Sequence, residues 1–204
     1  MSSSKSAIGN WQSAIEVWRI FCAIEIPEHV RQRISDHAHR LRELLPDAQA
    51  SWTKVDNIHL TLKFLGNISS QNVSSAADAA SQAVADFSPF QIRVERTGAF
   101  PSRGPAKVLW IGINDPTGHL TELQRKLEAE CEKRGFAKED RAFHPHLTLA
   151  RLRSSRGARS LAEKHKQLVF PAAEVNVSSL IIFRSELSSK GSRYTVISEH
   201  NLVR

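Results

Sequence analysis

Two cysteines in 204 residues, Cys22 and Cys131, are too few for a disulfide framework. Cys22 lies inside the apolar run 20–26 and Cys131 on the apolar stripe of a predicted helix, and neither belongs to a zinc-type spacing. Both are expected as free, buried thiols in a reducing compartment. Long apolar runs are missing as well. None approaches the ~20 residues that span a bilayer, and the serine-rich first ten residues carry no apolar leader core. The expectation is a soluble, cytoplasmic protein with no membrane partner. Negative charge is scarce: 28 Lys and Arg stand against 21 Asp and Glu, a net charge of +7 that favours polyanions, nucleic acid first among them. A merely basic enzyme is the bland alternative.

What is present suffices for a core. Hydrophobic residues make up 41% and charged residues 24%, close to globular averages. The length suits one domain, or two small lobes sharing a core. Residues 1–16, polar and small, read as a flexible extension before a single folded unit over 17–204. A strand is predicted at 18–26, ending at Pro27, then a helix over 28–45 with Val30, Ile34, Ala38, Leu41 and Leu45 on one face. Short and longer strands follow at 50–53 and 57–65, the latter closed by Gly66 and Asn67. A helix over 70–86 buries Ala76, Ala80 and Val84; strands at 90–96 and 107–113 flank a turn-rich loop at 101–105. A third helix runs to Arg134 with Leu120, Leu123, Leu127 and Cys131 inward and Gly135 as its stop. Then come a strand at 146–152, a helix at 154–168, a strand at 175–183, and a turn at 188–192 leading into a hairpin strand at 194–197.

The most informative feature is a repeated tetrapeptide. His-Leu-Thr-Leu occurs at 59–62 and again at 146–149. Its polar–apolar alternation is that of a half-buried strand, on which positions i and i+2 share a face about 6.6 Å apart. Each copy therefore presents an imidazole beside a hydroxyl. Two copies facing one cleft supply a general acid, a general base and two neutral hydrogen-bond donors. A lone strand histidine is more often a satisfied core residue, but duplication in an identical context favours chemistry. The order strand, helix, motif strand, helix in each half suggests an internal duplication of about 90 residues.

Other candidates are less specific. His144 with His146, in His-Pro-His, has a spacing that could ligate zinc, but no Cys or carboxylate cluster accompanies it, so no metal and no cofactor are expected. His29, His37 and His39 are expected to face solvent. Arg151, Arg153, Arg156 and Arg159 follow the second motif; such a run is usually a solvated face, yet Arg151, five residues on from His146, could hold a phosphate at the cleft edge. Lys63, four residues on from His59, is a further binding candidate, and Trp52, Phe64 and Phe100 are candidate walls for stacking a base.

With these motifs in order, the chain resembles the 2H phosphoesterase superfamily, and within it the RNA 2′,3′-cyclic phosphodiesterases first described as bacterial 2′-5′ RNA ligases. The matching stretches are WRIFCAIEIPEHVR at 18–31, HLTLKFLG at 59–66, FPS and KVLWIGI within 100–113, HPHLTLAR at 144–151 and SELSSKGSRYTV at 185–196. The resemblance implies an α+β, bilobal fold in which two antiparallel sheets, related by pseudo-two-fold symmetry, flank a central cleft with helices outside. It implies His59 as proton donor, His146 as proton acceptor, Thr61 and Thr148 on the phosphate with Arg151 nearby, and departure of the 3′ oxygen to leave a 2′-phosphate. Lys107 stands where the family often has arginine and Ser189 where proline is frequent. The implied partners are RNA ends or nucleotides bearing a 2′,3′-cyclic phosphate, met by a monomer.

That chemistry is sound on the residues alone. A five-membered cyclic phosphate is strained, so its opening needs little electrophilic help. A neutral imidazole takes the proton of attacking water while an imidazolium protonates the departing ribose oxygen. Thr hydroxyls and an arginine stabilise charge on the equatorial oxygens. ATP-independent 2′-5′ ligation at the same site is the alternative activity. The competing reading is a non-catalytic protein that holds RNA ends, which would need neither histidine as acid or base.

Overall fold

The computed structural model describes residues 16–203 except Ser155 and Lys190. The expected extension therefore lies, but for Glu16, outside the described residues. The chain order is β1 (Val17–Glu25), α1 (Glu28–Leu44), β2 (Ala50–Trp52), β3 (His59–Ser69), α2 (Val73–Val84), β4 (Phe90–Phe100), β5 (Val108–Asn114), α3 (His119–Lys133), β6 (His146–Leu152), α4 (Ala158–Gln167), β7 (Ala173–Val177), β8 (Ser179–Ser188) and β9 (Gly191–Asn201). The strands form two sheets, ordered β3-β1-β8-β9 and β2-β6-β5-β4-β7, with antiparallel pairing throughout.

The apolar spacings predict the buried helix faces. Val30, Ile34, Ala38 and Leu41 of α1, Ala76, Ala80 and Val84 of α2, and Leu120, Leu123, Leu127 and Cys131 of α3 are all buried in one continuous core, with Leu45 packed at its edge. Helix α3 ends as expected. Gly135 adopts φ +81, its N–H donates to the Glu132 carbonyl, and the Phe136 N–H reaches back to Cys131. Both cysteines are buried free thiols.

Three expectations need correction. Gly66 and Asn67 do not end the first motif strand: β3 continues to Ser69, and Gly66, at φ +75, pairs with Ile20 beside a register shift. The single strand expected at 175–183 is two strands in different sheets. β7 pairs with β4, the chain breaks step at Ser178, and β8 pairs with β1. A continuous apolar pattern cannot reveal such a change, because both strands bury residues on the same core. His37, finally, does not face solvent. It is 4% exposed, and its Nε2 lies 3.0 Å from His165 Nδ1, whose own Nε2 lies 2.9 Å from the Trp110 carbonyl. A carbonyl only accepts, so His165 carries its proton on Nε2 and accepts from His37. This neutral relay ties α1 and α4 to β5, and burial holds His37 down to about 4.

The duplication is visible in the pairing. Strand β3 lies beside β1, with α1 in the chain between them, and β6 lies beside β5, with α3 between them. The order β3-β1-β8-β9 thus maps onto β6-β5-β4-β7, and β2 is an added edge strand beside β6. The Cα traces of β3 and β6 approach within 8 Å at the junction of the two sheets. The two motifs therefore start from neighbouring strands.

Candidate active site

The two motifs share an irregularity that alternation alone does not predict. In the β1–β3 ladder Ala23 faces Thr61 but Cys22 faces Lys63, so Leu62 is an extra residue; in the β5–β6 ladder Trp110 faces Thr148 but Leu109 faces Ala150, so Leu149 is extra. Each is a β-bulge one residue beyond the threonine. Its effect is a pair of consecutive buried residues, Leu62 with Lys63 and Leu149 with Ala150, after which the next side chain returns to the open face. Phe64 and Arg151 are those residues, and both are exposed. His59, Thr61 and Phe64 thus share one face of their sheet, and His146, Thr148 and Arg151 the corresponding face of the other.

This bulge decides the fate of Lys63. Unbroken alternation would align it with His59 and Thr61. Instead it points into the core, 3% exposed, where Nζ donates to Glu128 Oε2 at 2.5 Å and to the Ala137 carbonyl at 2.9 Å. It is not a cleft residue. Trp52 is misplaced in the same sense. It pairs with Ala150, a core-facing residue, and its ring lies beneath the Arg42 guanidinium of α1 at 4.9 Å. Directly paired residues share a face, so Trp52 packs on the back of the sheet. The arginine run also divides. Arg153 donates to Ser51 Oγ at 2.6 Å on the cleft side of β6, whereas Arg159 pairs with Glu163 on the outer helix α4.

Each imidazole is oriented alike. His59 Nδ1 donates to the Asn57 carbonyl at 2.8 Å, and His146 Nδ1 donates to the His144 carbonyl at 2.7 Å. Both bonds run to the residue two positions earlier. They fix the Nδ1–H tautomer and leave Nε2 as the free acceptor. The carbonyl of Asn57 is itself anchored, since its side-chain amide donates to the Ser192 carbonyl at 2.8 Å. Burial lowers the His59 pKa to about 4 against the opposing pull of the Asn57 carbonyl. Burial likewise lowers His146, aided by the Arg151 and His144 charges and opposed by the His144 carbonyl. His144 serves through its backbone; among the described residues no group of three or more His, Cys, Asp or Glu could hold a metal ion.

Aromatic rings surround both imidazoles. Around His59 stand Phe21 at 4.7 Å, Tyr194 at 5.2 Å edge-on and Phe183 at 6.2 Å, and Phe64 joins through Phe21 at 6.0 Å. Beside His146, Phe100 stands edge-on at 5.1 Å and also meets Trp110 at 5.3 Å. Phe64 thus lies on the His59 face, one ring removed from the imidazole, and Phe100 stands directly beside His146. Phe21, Phe183 and Tyr194 escape the sequence reading, because Phe21 and Phe183 sit in runs that read as uniformly apolar core. Tyr194 offers one signal, being the chain's sole tyrosine.

Residues 27–188 match the 2′-5′ RNA ligase superfamily. The chain belongs to that superfamily. Its similarity to curated members extends over nearly the whole length. It is 32% identical to the RNA 2′,3′-cyclic phosphodiesterase of Methanothermobacter thermautotrophicus, across 87% of this chain and 95% of that one. It is 31% identical to the RNA 2′,3′-cyclic phosphodiesterase of Thermotoga maritima, across 89% and 94%. Among solved folds of the superfamily's type, the apo structure of Escherichia coli LigT matches with a TM-score of 0.72 at 25% identity, covering 93% of this chain and 99% of that one. A crystal structure of a Thermus thermophilus protein matches with a TM-score of 0.73 at 25% identity, covering 90% and 97%. The bilobal α+β architecture implied by the resemblance is therefore the observed one. Among the described residues of this superfamily member, no helix is long and apolar enough to cross a membrane.

Proposed function

We propose that this superfamily member opens 2′,3′-cyclic phosphates at RNA ends to 2′-phosphomonoesters, with the two motif histidines exchanging protons across the phosphate. The observation that carries the proposal is the matched anchoring of both rings. His59 and His146 each spend Nδ1 on a carbonyl two residues back, so each offers Nε2 to a substrate. In the forward direction His146 Nε2 takes the proton of water as its oxygen attacks phosphorus. The bond from phosphorus to the ribose 3′ oxygen breaks, and that oxygen takes a proton from His59 Nε2. Thr61 and Thr148 donate to the non-bridging oxygens, and Arg151 offsets their charge at the cleft edge. The aromatic group of Phe21, Phe64, Phe183 and Tyr194 supplies the wall on which the terminal base stacks. The curated relatives named above carry this activity in their names, and that supports the substrate class.

The test is turnover of a 2′,3′-cyclic mononucleotide, with the product analysed for the position of its phosphate, before and after treatment with EDTA. Full activity after chelation and a 2′-phosphate product are expected. A rate lost on chelation and restored by zinc or manganese would replace this mechanism with a metal-dependent one. Tight binding of the cyclic end without turnover would favour the end-binding reading.

A further inference from the structure

A cavity of about 220 Å³ opens beside His146, bordered by that ring, His144, Phe100, Trp110, Asn114 and the pair Glu95 and Arg96. The mechanism above makes no use of it. Its floor is built for a flat occupant. Trp110 lies across two glycines of the sheet: a Cβ at Gly98 would fall 2.1 Å from its Cζ2, and one at Gly112 would fall 3.2 Å from its Cζ3. No other residue type leaves room for the indole to lie down on the strands. Phe100 stands against this ring at one side, tilted by 37°. The rim is polar and equally particular. Glu95 and Arg96 are consecutive, and strict alternation would send them to opposite faces. A register shift between Glu95 and Thr97, with Arg96 at φ +63, brings both to the same cavity. Arg96 is the one non-glycine residue at positive φ among the described residues. Carboxylate, guanidinium and the Asn114 amide together can meet both donors and acceptors of a base edge. The volume lies below the range of drug-sized pockets and suits a single base rather than a whole nucleotide.

In-line displacement at phosphorus puts the attacking and leaving oxygens on opposite sides. If His59 serves the ribose 3′ oxygen, the nucleoside bearing the cyclic phosphate lies on the His59 side, among Phe21, Phe183 and Tyr194. The oxygen served by His146 comes from the other side. Water needs no base pocket there, but a 5′-hydroxyl carried by a second nucleoside does. Resting on the catalytic reading above, we propose that the cavity floored by Trp110 is a second nucleoside subsite, which binds the base of the residue joined to the phosphate through O5′. In the joining direction O5′ attacks phosphorus and its proton passes to His146 Nε2, while the P–O3′ bond breaks and O3′ takes the proton of His59. In cleavage every step reverses, and no further reactant is needed.

The test uses 2′-5′-linked dinucleoside monophosphates, cleaved to a cyclic phosphate and a nucleoside. A substrate with a base on the O5′-linked ribose is compared with its abasic counterpart. Removing that base should raise KM at least about tenfold, a typical stacking loss, with kcat changed less. Phe100→Ala and Arg96→Ala should each shrink this ratio; Arg96 is an exposed side chain whose truncation spares the core. Equal KM values for the two substrates with the wild-type protein would overturn the subsite. So would a base effect undiminished in both variants, which would place the base elsewhere. Hydrolysis of a 2′,3′-cyclic mononucleotide by the same preparation separates the causes. Turnover there without a base effect overturns the subsite alone, and no turnover overturns the catalytic reading together with it.

Discussion

Burial holds both cleft imidazoles below the ordinary histidine range, His59 down to about 4. In the free protein near pH 7 both are therefore neutral, while the proposed reaction needs one proton between them. kcat/KM reports the free protein's ionisations, and the singly protonated pair is most abundant between its two apparent pKa values, which belong to the pair. Since both rings lie below 6.5, kcat/KM should peak on the acid side of pH 6.5 and fall as pH rises beyond it. An anionic phosphate between the rings favours their charged forms, so the optimum of kcat should lie at higher pH than that of kcat/KM. A kcat/KM maximum above pH 7 would contradict this assignment. His59→Ala and His146→Ala should each lower the rate by at least about two orders of magnitude. The double variant should lose little more than either single one, because one proton transfer without the other is of little use. Near-wild-type turnover in a folded single variant, judged by circular dichroism, removes that histidine from the mechanism. These residues are legible in the sequence because each motif is short, local and repeated. Tyr194 and Phe183 are not, since their approach to His59 is set by the β8–β9 hairpin folding across β1, a long-range event with no local pattern.

Strands and helices show where periodicity misleads. The helix faces follow from three- and four-residue spacing, but strand faces invert wherever a bulge adds a residue, and the sequence carries no mark for the bulges at Leu62 and Leu149. Lys63 is the clearest case. Its aliphatic stem crosses the core to an ion pair with Glu128 of α3, and it gives a cationic residue a structural role. Removing one partner leaves an uncompensated buried charge. Lys63→Ala should therefore cost about 3–5 kcal/mol in a denaturation experiment, while the folded fraction keeps its kcat/KM. Lys63→Met combined with Glu128→Leu should recover most of that loss, as apolar replacement of a buried pair often does. A selective rise in KM with unchanged stability would instead return Lys63 to the substrate. The symmetry-related position, Ala150, is buried without any partner charge, so the pair belongs to one half only.

At the scale of the molecule, composition foretells a basic surface but not its layout. The +7 charge together with Arg151 and Arg153 on the cleft face should make oligonucleotide binding weaken with salt, by about −0.7 in log–log slope per neutralised phosphate on a single strand. An affinity unchanged between low and moderate salt would exclude these arginines from backbone contact. The two-fold plan is legible in the repeated motif, whereas the way the halves interlock is not. The first half contributes β3 and β1 to one sheet and β2 and β4 to the other; the second half contributes β8 and β9, then β6, β5 and β7. Neither sheet belongs to one half, and β4 is inserted between two strands of the other half. A break in the exposed loop 101–105 would thus yield two fragments, each with one motif histidine and neither with a complete sheet. Expressed separately they should be inactive and poorly folded; mixed, they should regain activity at a rate second order in fragment concentration. The same threading that builds one cleft from two repeats makes the enzyme divisible into an obligate pair, whose turnover would count the encounters between its parts.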